Sequence, residues 1–522
     1  MDSATQPTPN RAIVPVAIFG IVACYCCALF MGWPQRGTEQ IVTPRSELLM
    51  IAGSDGANAN EFDNLVAPPF WTVIPFVLLL AGIAVLPLIP ATSHWWESNM
   101  NRFKIAGGLA LLTLAYYAFL HSGAIAAHWP VHHIVKPSES GVRFELVNTI
   151  LANAMLQEFV PFIVLLFSLY TISGGIRIAG DLRAHPLTNA AFMGVGAILA
   201  SVIGTTGAAM LLVRPLLETN RERKHGAHTI VIFIFIVCNC GGCLLPIGDP
   251  PLFLGYLEGV PFLWTLRLWP EWLFVNGCLL AAYLLLDSLW FYRHETKTDI
   301  ERDVSRTHRI RLAGWQLNAP LLLGVVLAVA LLDPSKPFPG TNWHPWMYLR
   351  EVVQLCLVGV SLWRDDYRVR DENLFTFGAI IEVAALFVGI FICMQPALQI
   401  LGIKGSELGL ATPPHFFWAS GSLSSVLDNA PTYLVFFKAA QSLPTAPNIT
   451  PVGGVNPHIL AAISLGSVFM GAMTYIGNGP NFMVRAIAES SGVKMPSFFG
   501  YMIYSFLILL PILAFTVWLF LM

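Results

Sequence analysis

Two aspartates lie inside long apolar stretches of this chain, at points where a helix cannot continue. Asp428 stands in "LSSVLDNAP" and is the only charged residue between Glu407 and Lys438; Asp249 stands in "PIGDPP". The neighbouring prolines and small residues interrupt helical backbone. A carboxylate at such a break can bind a small hard cation together with carbonyl and hydroxyl oxygens, or it can carry a proton. The alternative is an aspartate that only caps the broken helix.

Side chains with hydroxyl or amide oxygens accompany both aspartates. Those that can complete a coordination shell are Asn429, Asn478, Asn481, Thr205, Thr206, Thr474 and Ser425. Each of them is, on its own, equally typical of a turn. Glu158 and Glu382 are each the only charged residue in their apolar stretch, which makes them candidates for a proton relay. The alternative for both is a structural acid that is hydrogen-bonded near a helix end.

For the other cysteine, histidine and aspartate residues that could carry chemistry, the sequence favours a structural role. "CNCGGC" fits small residues at a helix break better than a metal site, and "HWPVHH" fits a solvated loop. Asp287 lies near the end of its apolar stretch, where we expect it to extend toward water beside Arg293. The sequence contains no lysine at a phosphate-loop position and no Ser-His-Asp arrangement in its loops, so we predict that the protein is not an enzyme.

The composition places these residues in a membrane protein. Of the 522 residues, 55% are hydrophobic and only 11% are charged, less than half of the ~25% that is usual in soluble domains. Several windows of about 20 residues carry no charge, enough for a helix to cross the hydrocarbon core. No basic stripe indicates nucleic-acid binding, and the nine cysteines all lie in apolar stretches, which argues against a disulfide framework. We therefore predict an all-α polytopic membrane protein.

The apolar stretches divide into continuous and broken ones. Those predicted to span the membrane without interruption are 12–33, 69–91, 104–126, 150–175, 270–292, 314–333, 346–363, 374–400 and 497–521. Two stretches with small polar residues at mid-length, 187–213 and 413–440, are predicted re-entrant hairpins. Two that Gly and Pro interrupt, 229–258 and 458–490, are predicted broken spans. The prediction is therefore about eleven spans plus two hairpins.

Lysine and arginine give the predicted orientation, because loops rich in these residues stay in the cytoplasm. The segment 293–311 carries six of them, and counting spans from it also places the basic segments 92–104, 214–228 and 364–370 inside. We therefore predict a multi-pass protein of the cell (inner) membrane with a cytoplasmic N-terminus and an external C-terminus. The residues before the first span are predicted to be a disordered tail.

The two halves of the chain repeat one another. "IGDPPLF" matches "IGNGPNF", "TTGAAML" matches "DNAPTYL", and Glu158 matches Glu382, in the same order in both halves. Each half contains an odd number of spans, so the second copy is inverted, and inverted repeats with broken helices are the signature of secondary transporters. The predicted organisation is a tail, first span and outer loop, a first repeat, a cytoplasmic linker and a second repeat: 1–68, 69–292, 293–313 and 314–522.

The motifs "NCGGCLLPIGDPP", "SSVLDNAPT" and "YIGNGPN", with this layout, resemble the ion transporter superfamily. Within it the chain is most similar to NhaD-type sodium/proton antiporters and CitMHS-like citrate transporters. The resemblance implies a homodimer, an elevator-type movement of a transport domain, and sodium and substrate sites at the hairpin tips and broken helices. The sodium symporters of the superfamily carry Ser-Asn-Thr at both tips, whereas this chain has "GTTG" and "LDNAP". An acid at the tip repels a dicarboxylate.

Three functions remain open at this point. The first is exchange of sodium, or a similar cation, for protons, with Asp428 as the shared site. The second is transport of citrate, a dicarboxylate or an oxyanion coupled to cations. The third is a channel or a membrane protein that transports nothing. No cofactor or resident metal is expected, and the expected partners are the lipid bilayer, the transported cation, the proton and a second copy of the chain.

Overall fold

A computed structural model describes residues 13–51, 65–87, 89–131, 133–138, 141–295, 308–365, 367–373, 375–444 and 448–522. The tail before residue 13, part of the predicted outer loop (52–64) and most of the predicted cytoplasmic linker (296–307) lie outside the described residues.

The described chain is helical throughout its apolar stretches. The helices of the first half are α1 (Ile13–Phe30), α2 (Trp33–Ile51), α3 (Ile74–Val85), α4 (Pro90–Trp96), α5 (Asn99–Phe119), α6 (Phe144–Ser173), α7 (Pro186–Ile203), α8 (Thr205–Thr219), α9 (Ala227–Val237), α10 (Pro250–Leu257) and α11 (Trp264–His294). Those of the second half are α12 (Trp315–Leu331), α13 (Leu349–Arg364), α14 (Tyr367–Glu372), α15 (Gly378–Cys393), α16 (Gln395–Lys404), α17 (Pro413–Ser424), α18 (Asn429–Gln441), α19 (Pro457–Met470), α20 (Gly479–Ser490) and α21 (Phe498–Phe520).

Helix length and apolar composition confirm the coarse prediction of an all-α membrane protein. Among the described residues five helices are long and apolar enough to cross a membrane, or up to seven if each bent pair is one span. Further apolar helices, such as α12, are shorter than a full span. Helices that break near their middle cannot each satisfy a length criterion for one straight span. The count of eleven spans stays a prediction.

Two short antiparallel ribbons accompany the helices. Strand β1 (Ile125–Ala127) pairs with β2 (His133–Val135), and β3 (Arg177–Asp181) pairs with β4 (His308–Ala313). The second ribbon attaches the end of the predicted cytoplasmic linker to the segment that precedes α7. Sequence analysis did not predict the pairing of β3 with β4, because strands so distant in sequence leave no local pattern. The predicted outer loop 34–68 also contains a helix, α2.

The helices of the two hairpins and the two broken spans pack against one another. In the second half α17 and α18 pack against α19, and α18 also packs against α10 of the first half. In turn α20 packs against α8 and α9. Outside this group α5 packs against α15, and α6 packs against α12 and α13. The packing therefore brings the four interrupted segments into one place.

Asp287 occupies a different environment from the predicted one. Its side chain is fully buried, and Arg223 donates to both carboxylate oxygens, with N–O distances of 2.9 and 2.5 Å. His228 Nε2 lies 3.0 Å from Oδ1, and the Tyr283 hydroxyl donates to Oδ2 at 2.9 Å. The expectation that Asp287 extends toward water beside Arg293 is wrong, because an arginine from a distant loop neutralises it inside the protein.

Candidate functional site

The interruptions of the four broken elements meet at Asp249. Its carboxylate is 99% buried, since only 1% of the residue is exposed. Thr205 Oγ1 donates to Asp249 Oδ1 at 2.9 Å, and Asn478 Nδ2 donates to the same oxygen at 3.2 Å. Asn429 Nδ2 donates to Oδ2 at 2.7 Å. One carboxylate thus joins the first hairpin, the second hairpin and both broken spans; we call these four residues the Asp249 cage.

Local backbone explains why the Asp249 carboxylate is available to distant partners. Pro250 begins α10, and Asp249 precedes it in an extended conformation with φ −143° and ψ 142°. An aspartate at this position commonly accepts a hydrogen bond from its own helix, but the Asp249 side chain makes no such capping bond. Asn478 precedes α20 in nearly the same conformation, also without a capping bond. Both side chains therefore turn toward the centre.

The Asp428 side chain caps its own helix, which the Asp249 side chain does not do. It precedes α18, and its Oδ1 accepts a hydrogen bond from the Ala430 backbone N–H at 3.1 Å. The Thr432 hydroxyl donates to the Asp428 backbone oxygen at 2.9 Å. Asp428 is partly exposed, and within the described part of the chain no hydrogen bond joins it to Asp249. The structure thus gives Asp428 the helix cap that the sequence left as its alternative.

A network of asparagines lies directly against the Asp249 cage. Asn239 Nδ2 donates to Asn481 Oδ1 at 2.7 Å, and Asn478 Nδ2 lies 3.2 Å from Asn239 Oδ1. Asn481 Nδ2 donates to the backbone oxygens of Gly471 and Thr474 at 2.9 and 3.0 Å. Sequence analysis missed Asn239. The available signal was that Asn239 is the only amide side chain between His228 and Asp249.

Ser425 and Thr474 connect the second hairpin to the second break. Thr474 Oγ1 donates to the Ser425 backbone oxygen at 2.5 Å, and Ser425 Oγ donates to the Met470 backbone oxygen at 3.2 Å. Both hydroxyls are therefore engaged with backbone oxygens and hold the hairpin tip in position.

Glycines allow the two breaks to fold back on themselves. A Cβ atom added to Gly248 would overlap the carbonyl of Gly242, and a Cβ added to Gly477 would lie 2.6 Å from the carbonyl oxygen of Gly471. These four glycines occupy matching positions in the two halves. The same tight turn is therefore built twice, and each turn places the residue that follows it, Asp249 or Asn478, at the centre.

The Asp249 cage contains oxygen atoms suited to a small cation. Besides the two carboxylate oxygens, Asn429 Oδ1 is buried and has no hydrogen-bond partner among the described residues. A buried acceptor without a donor costs free energy, and a cation would satisfy it. Among the described residues no group of three or more His, Cys, Asp or Glu side chains could hold a metal ion. The cage instead combines carboxylate, amide and hydroxyl oxygens, which are the ligands that hard cations prefer.

The two matched glutamates lie in unlike environments, away from the Asp249 cage. Glu158 is buried, and Gln395 Nε2 lies 3.5 and 3.4 Å from its two oxygens. Glu382 is partly exposed and forms an ion pair with Arg102 at 2.8 Å. Neither glutamate bonds to a cage residue within the described chain, so their role in proton relay stays a prediction.

A small cavity of about 70 Å³ lies beside the first hairpin tip. Its polar side consists of Gly204, Thr205 and Thr206, and its apolar side includes Tyr170 of α6 and Ile380 of α15. The cavity therefore lies between the first hairpin tip and the two helices α6 and α15.

Comparison with known protein families shows a match over most of the chain. The family model described as "Putative citrate transport" matches residues 66–136 and 120–521, which together cover most of the chain. No curated protein matches the sequence.

Proposed function

The chain belongs to this citrate-transport family, and from that premise we propose that it is a secondary transporter that carries citrate or a related polycarboxylate together with a small cation, most simply sodium. The observation that carries the proposal is the buried Asp249 carboxylate at the junction of the four broken elements. Broken helices that meet inside a membrane protein are where secondary transporters bind their substrates and coupling ions.

The proposed cation site is the Asp249 cage. Asp249 supplies charge, and Asn429 supplies a buried oxygen that lacks a donor. An ionised carboxylate is expensive to move through hydrocarbon, whereas a carboxylate that binds a cation or a proton is not. Movement of the broken elements across the membrane would therefore require the site to be occupied. This cost is the proposed origin of coupling.

The proposed anion site is the first hairpin tip. The first N–H groups of a helix have no partner within the helix and carry partial positive charge. At α8 these groups include the N–H of Thr206, beside the small cavity. The cavity of about 70 Å³ is smaller than the ~300–1,000 Å³ of typical ligand pockets. Substrate binding would therefore require the hairpin to move away from α6 and α15, in keeping with an elevator-type movement.

Exchange of a cation for protons is the second candidate function. It is favoured by the chemistry of the cage: the hydrogen-bond partners of Asp249 are neutral, and no lysine or arginine in the described part of the chain contacts its carboxylate. Such a cage attracts a cation and repels a carboxylate anion. In this function Asp249 or Asp428 would bind sodium and protons alternately, with Glu158 and Glu382 as the proposed proton relay.

Transport by purified protein in liposomes separates the two functions. We expect radiolabelled citrate to accumulate when sodium is added outside and not when choline is added. Liposomes without protein and liposomes with Asp249→Asn protein are the controls. If a sodium gradient moves protons, reported by a pH-sensitive dye inside the liposomes, while citrate does not accumulate, the exchanger is correct and the citrate transporter is wrong.

The proposed assembly is a homodimer in the cell membrane, with a cytoplasmic N-terminus. The contacts between copies would come from the early spans of each repeat, 69–126 and 314–363, which lack acids at mid-length and interrupted hairpins. Chemical cross-linking of membranes, followed by mass spectrometry, would detect links within these ranges. A purified protein that is monomeric in nanodiscs and transports at full rate would contradict this assembly.

A further inference from the structure

A large basic cavity opens between segments that the sequence predicts to be cytoplasmic. Its volume is about 1420 Å³. It is lined by α8, by the loop that follows α8, by strands β3 and β4, and by the turn after α20. Among the described residues, seven lysine or arginine side chains and two glutamates line it: Arg177, Arg214, Arg221, Arg223, Lys224, Arg311 and Lys494, with Glu218 and Glu372. We call this space the basic vestibule.

Part of the positive charge in the basic vestibule is already neutralised. Arg223 pairs with the buried Asp287, Arg177 pairs with Glu372, and Arg221 lies 3.4 Å from Glu218. Arg177 and Arg223 thereby join separate elements of the wall, whereas Arg221 pairs with a residue of its own segment.

Three other cations of the vestibule have no carboxylate partner among the residues that the structure describes. Within the described residues no acidic side chain forms an ion pair with Arg214, Arg311 or Lys494. The Nε of Arg214 is also buried and has no hydrogen-bond partner in the part of the chain that the structure describes. A buried charged donor that stays unsatisfied is costly, and like charges around one cavity repel one another. A bound anion would remove both costs.

The basic vestibule differs from an ordinary cytoplasmic loop because one of its cations, Arg214, lies within helix α8. Basic residues of cytoplasmic loops orient a membrane protein from its edge, and Lys224 fits that role. Arg214 instead lies nine residues after Thr205 on α8, which corresponds to about 14 Å at ~1.5 Å per residue. Met210, closer still to the hairpin tip, also lines the cavity. The basic vestibule therefore extends from the loops toward the proposed anion site.

We propose that the basic vestibule binds the carboxylate groups of a soluble di- or tricarboxylate on its way between the cytoplasm and the first hairpin tip, with Arg214 and Lys494 as its principal contacts; this inference rests on the proposed citrate transport. A cavity of about 1420 Å³ exceeds the ~300–1,000 Å³ of a fitted ligand pocket, so the anion is held loosely and keeps part of its water. A charged cleft of this kind raises local ligand concentration and association rate by roughly 10- to 1,000-fold.

Cysteine modification measures this binding without any transport. Ser491 is exposed and lines the basic vestibule, so Ser491→Cys is the reporter, in protein whose exposed native cysteines, Cys24, Cys26, Cys27 and Cys356, are replaced by serine. The reference reporter is Ser98→Cys, which lies outside the cavity lining. Each is treated with a negatively and a positively charged methanethiosulfonate reagent in nanodiscs of phosphatidylcholine. We expect the negative reagent to react at least about tenfold faster, relative to the reference, within the steering range given above.

Charge variants and competitors test the named contacts. Arg214→Gln with Lys494→Gln should abolish the preference for the negative reagent, Lys494→Arg should retain it, and Lys336→Gln, which removes an equal charge beside Asp333, should leave it unchanged. Millimolar citrate should slow the negative reagent at Ser491→Cys more than acetate does at equal ionic strength. No preference, or no effect of citrate beyond that of acetate, would overturn the proposal.

Two further results separate this proposal from its alternatives. If phosphatidylglycerol in the nanodisc protects the reporter and citrate does not, the occupant is a lipid headgroup and the proposal is wrong. If citrate protects Ser491→Cys but liposomes do not accumulate citrate, the binding site stands and the proposed transport fails. If liposomes accumulate citrate without protection of the reporter, the transport stands and the vestibule site fails.

Discussion

Replacing Asp249 by asparagine tests the central role of the Asp249 cage. The substitution preserves side-chain shape and removes the charge. Asp249 accepts hydrogen bonds from Thr205, Asn429 and Asn478. An amide at this position keeps one acceptor oxygen but places an NH2 group opposite another amide NH2, so at least one bond to a charged acceptor is lost.

The expected loss of sodium affinity in Asp249→Asn follows from the lost charge. Two unit charges about 4 Å apart interact by about 4 kcal/mol at the effective dielectric constant of ~20 that suits protein interiors. We take this as an upper limit, because removing the charge also removes a cost of burying it. Since about 1.4 kcal/mol is a tenfold change in affinity, sodium affinity should fall at least about tenfold and at most about 1,000-fold. The lost hydrogen bond, worth about 1.5–3 kcal/mol, lowers thermal stability as well.

The assay measures sodium binding directly, by isothermal titration or by the sodium-dependent rise in melting temperature of purified protein, with choline at equal ionic strength. Asp428→Asn is the matched control, since it removes the same charge and asparagine caps a helix as well as aspartate does. Asp249→Asn should lose more sodium affinity than Asp428→Asn. Sodium affinity within about twofold of wild type for Asp249→Asn, given that about 0.4 kcal/mol corresponds to such a factor, would refute the cage. A larger loss for Asp428→Asn would restore Asp428 as the shared site.

Three other pairs of substitutions test the surrounding structure. Gly248→Ala should lower the free energy of unfolding by about 1–3 kcal/mol, because the added Cβ overlaps backbone, whereas Gly479→Ala meets nothing within 4 Å and should be tolerated; equal melting temperatures would contradict this. Arg223→Leu removes the arginine that neutralises the buried Asp287 carboxylate and should cost about 3–5 kcal/mol, against about 0–1 kcal/mol for Arg221→Gln in its exposed pair; similar losses in thermal unfolding would argue against the buried pair. Cysteines that replace Arg221 and Asn448 should react with an impermeant thiol reagent from opposite sides of the membrane, and labelling from one side would refute the inverted repeats.

Short sequence patterns determine the fold class of this protein and the positions where its helices stop. Composition predicts the all-α membrane protein, and Gly and Pro predict where helices stop: the structure breaks at Gly204, between α17 and α18, and before Asp249 and Asn478. The matching motifs of the two halves also predict which residues stand at equivalent breaks. These features depend on a few neighbouring residues, and steric limits on Gly and Pro act at that range.

Only the tertiary structure decides which of two similar acids lies at the centre. Asp428 is the more isolated charge in the sequence, yet its carboxylate bonds to the backbone two residues away, while Asp249 contacts Asn429, 180 residues later in the chain. The same holds for Asn239 with Asn481, 242 residues apart, and for Asp287 with Arg223, 64 residues apart. Periodicity shows that a polar group is buried, and burial requires that it find a partner. Which partner it finds depends on how whole helices pack, and no local pattern records that.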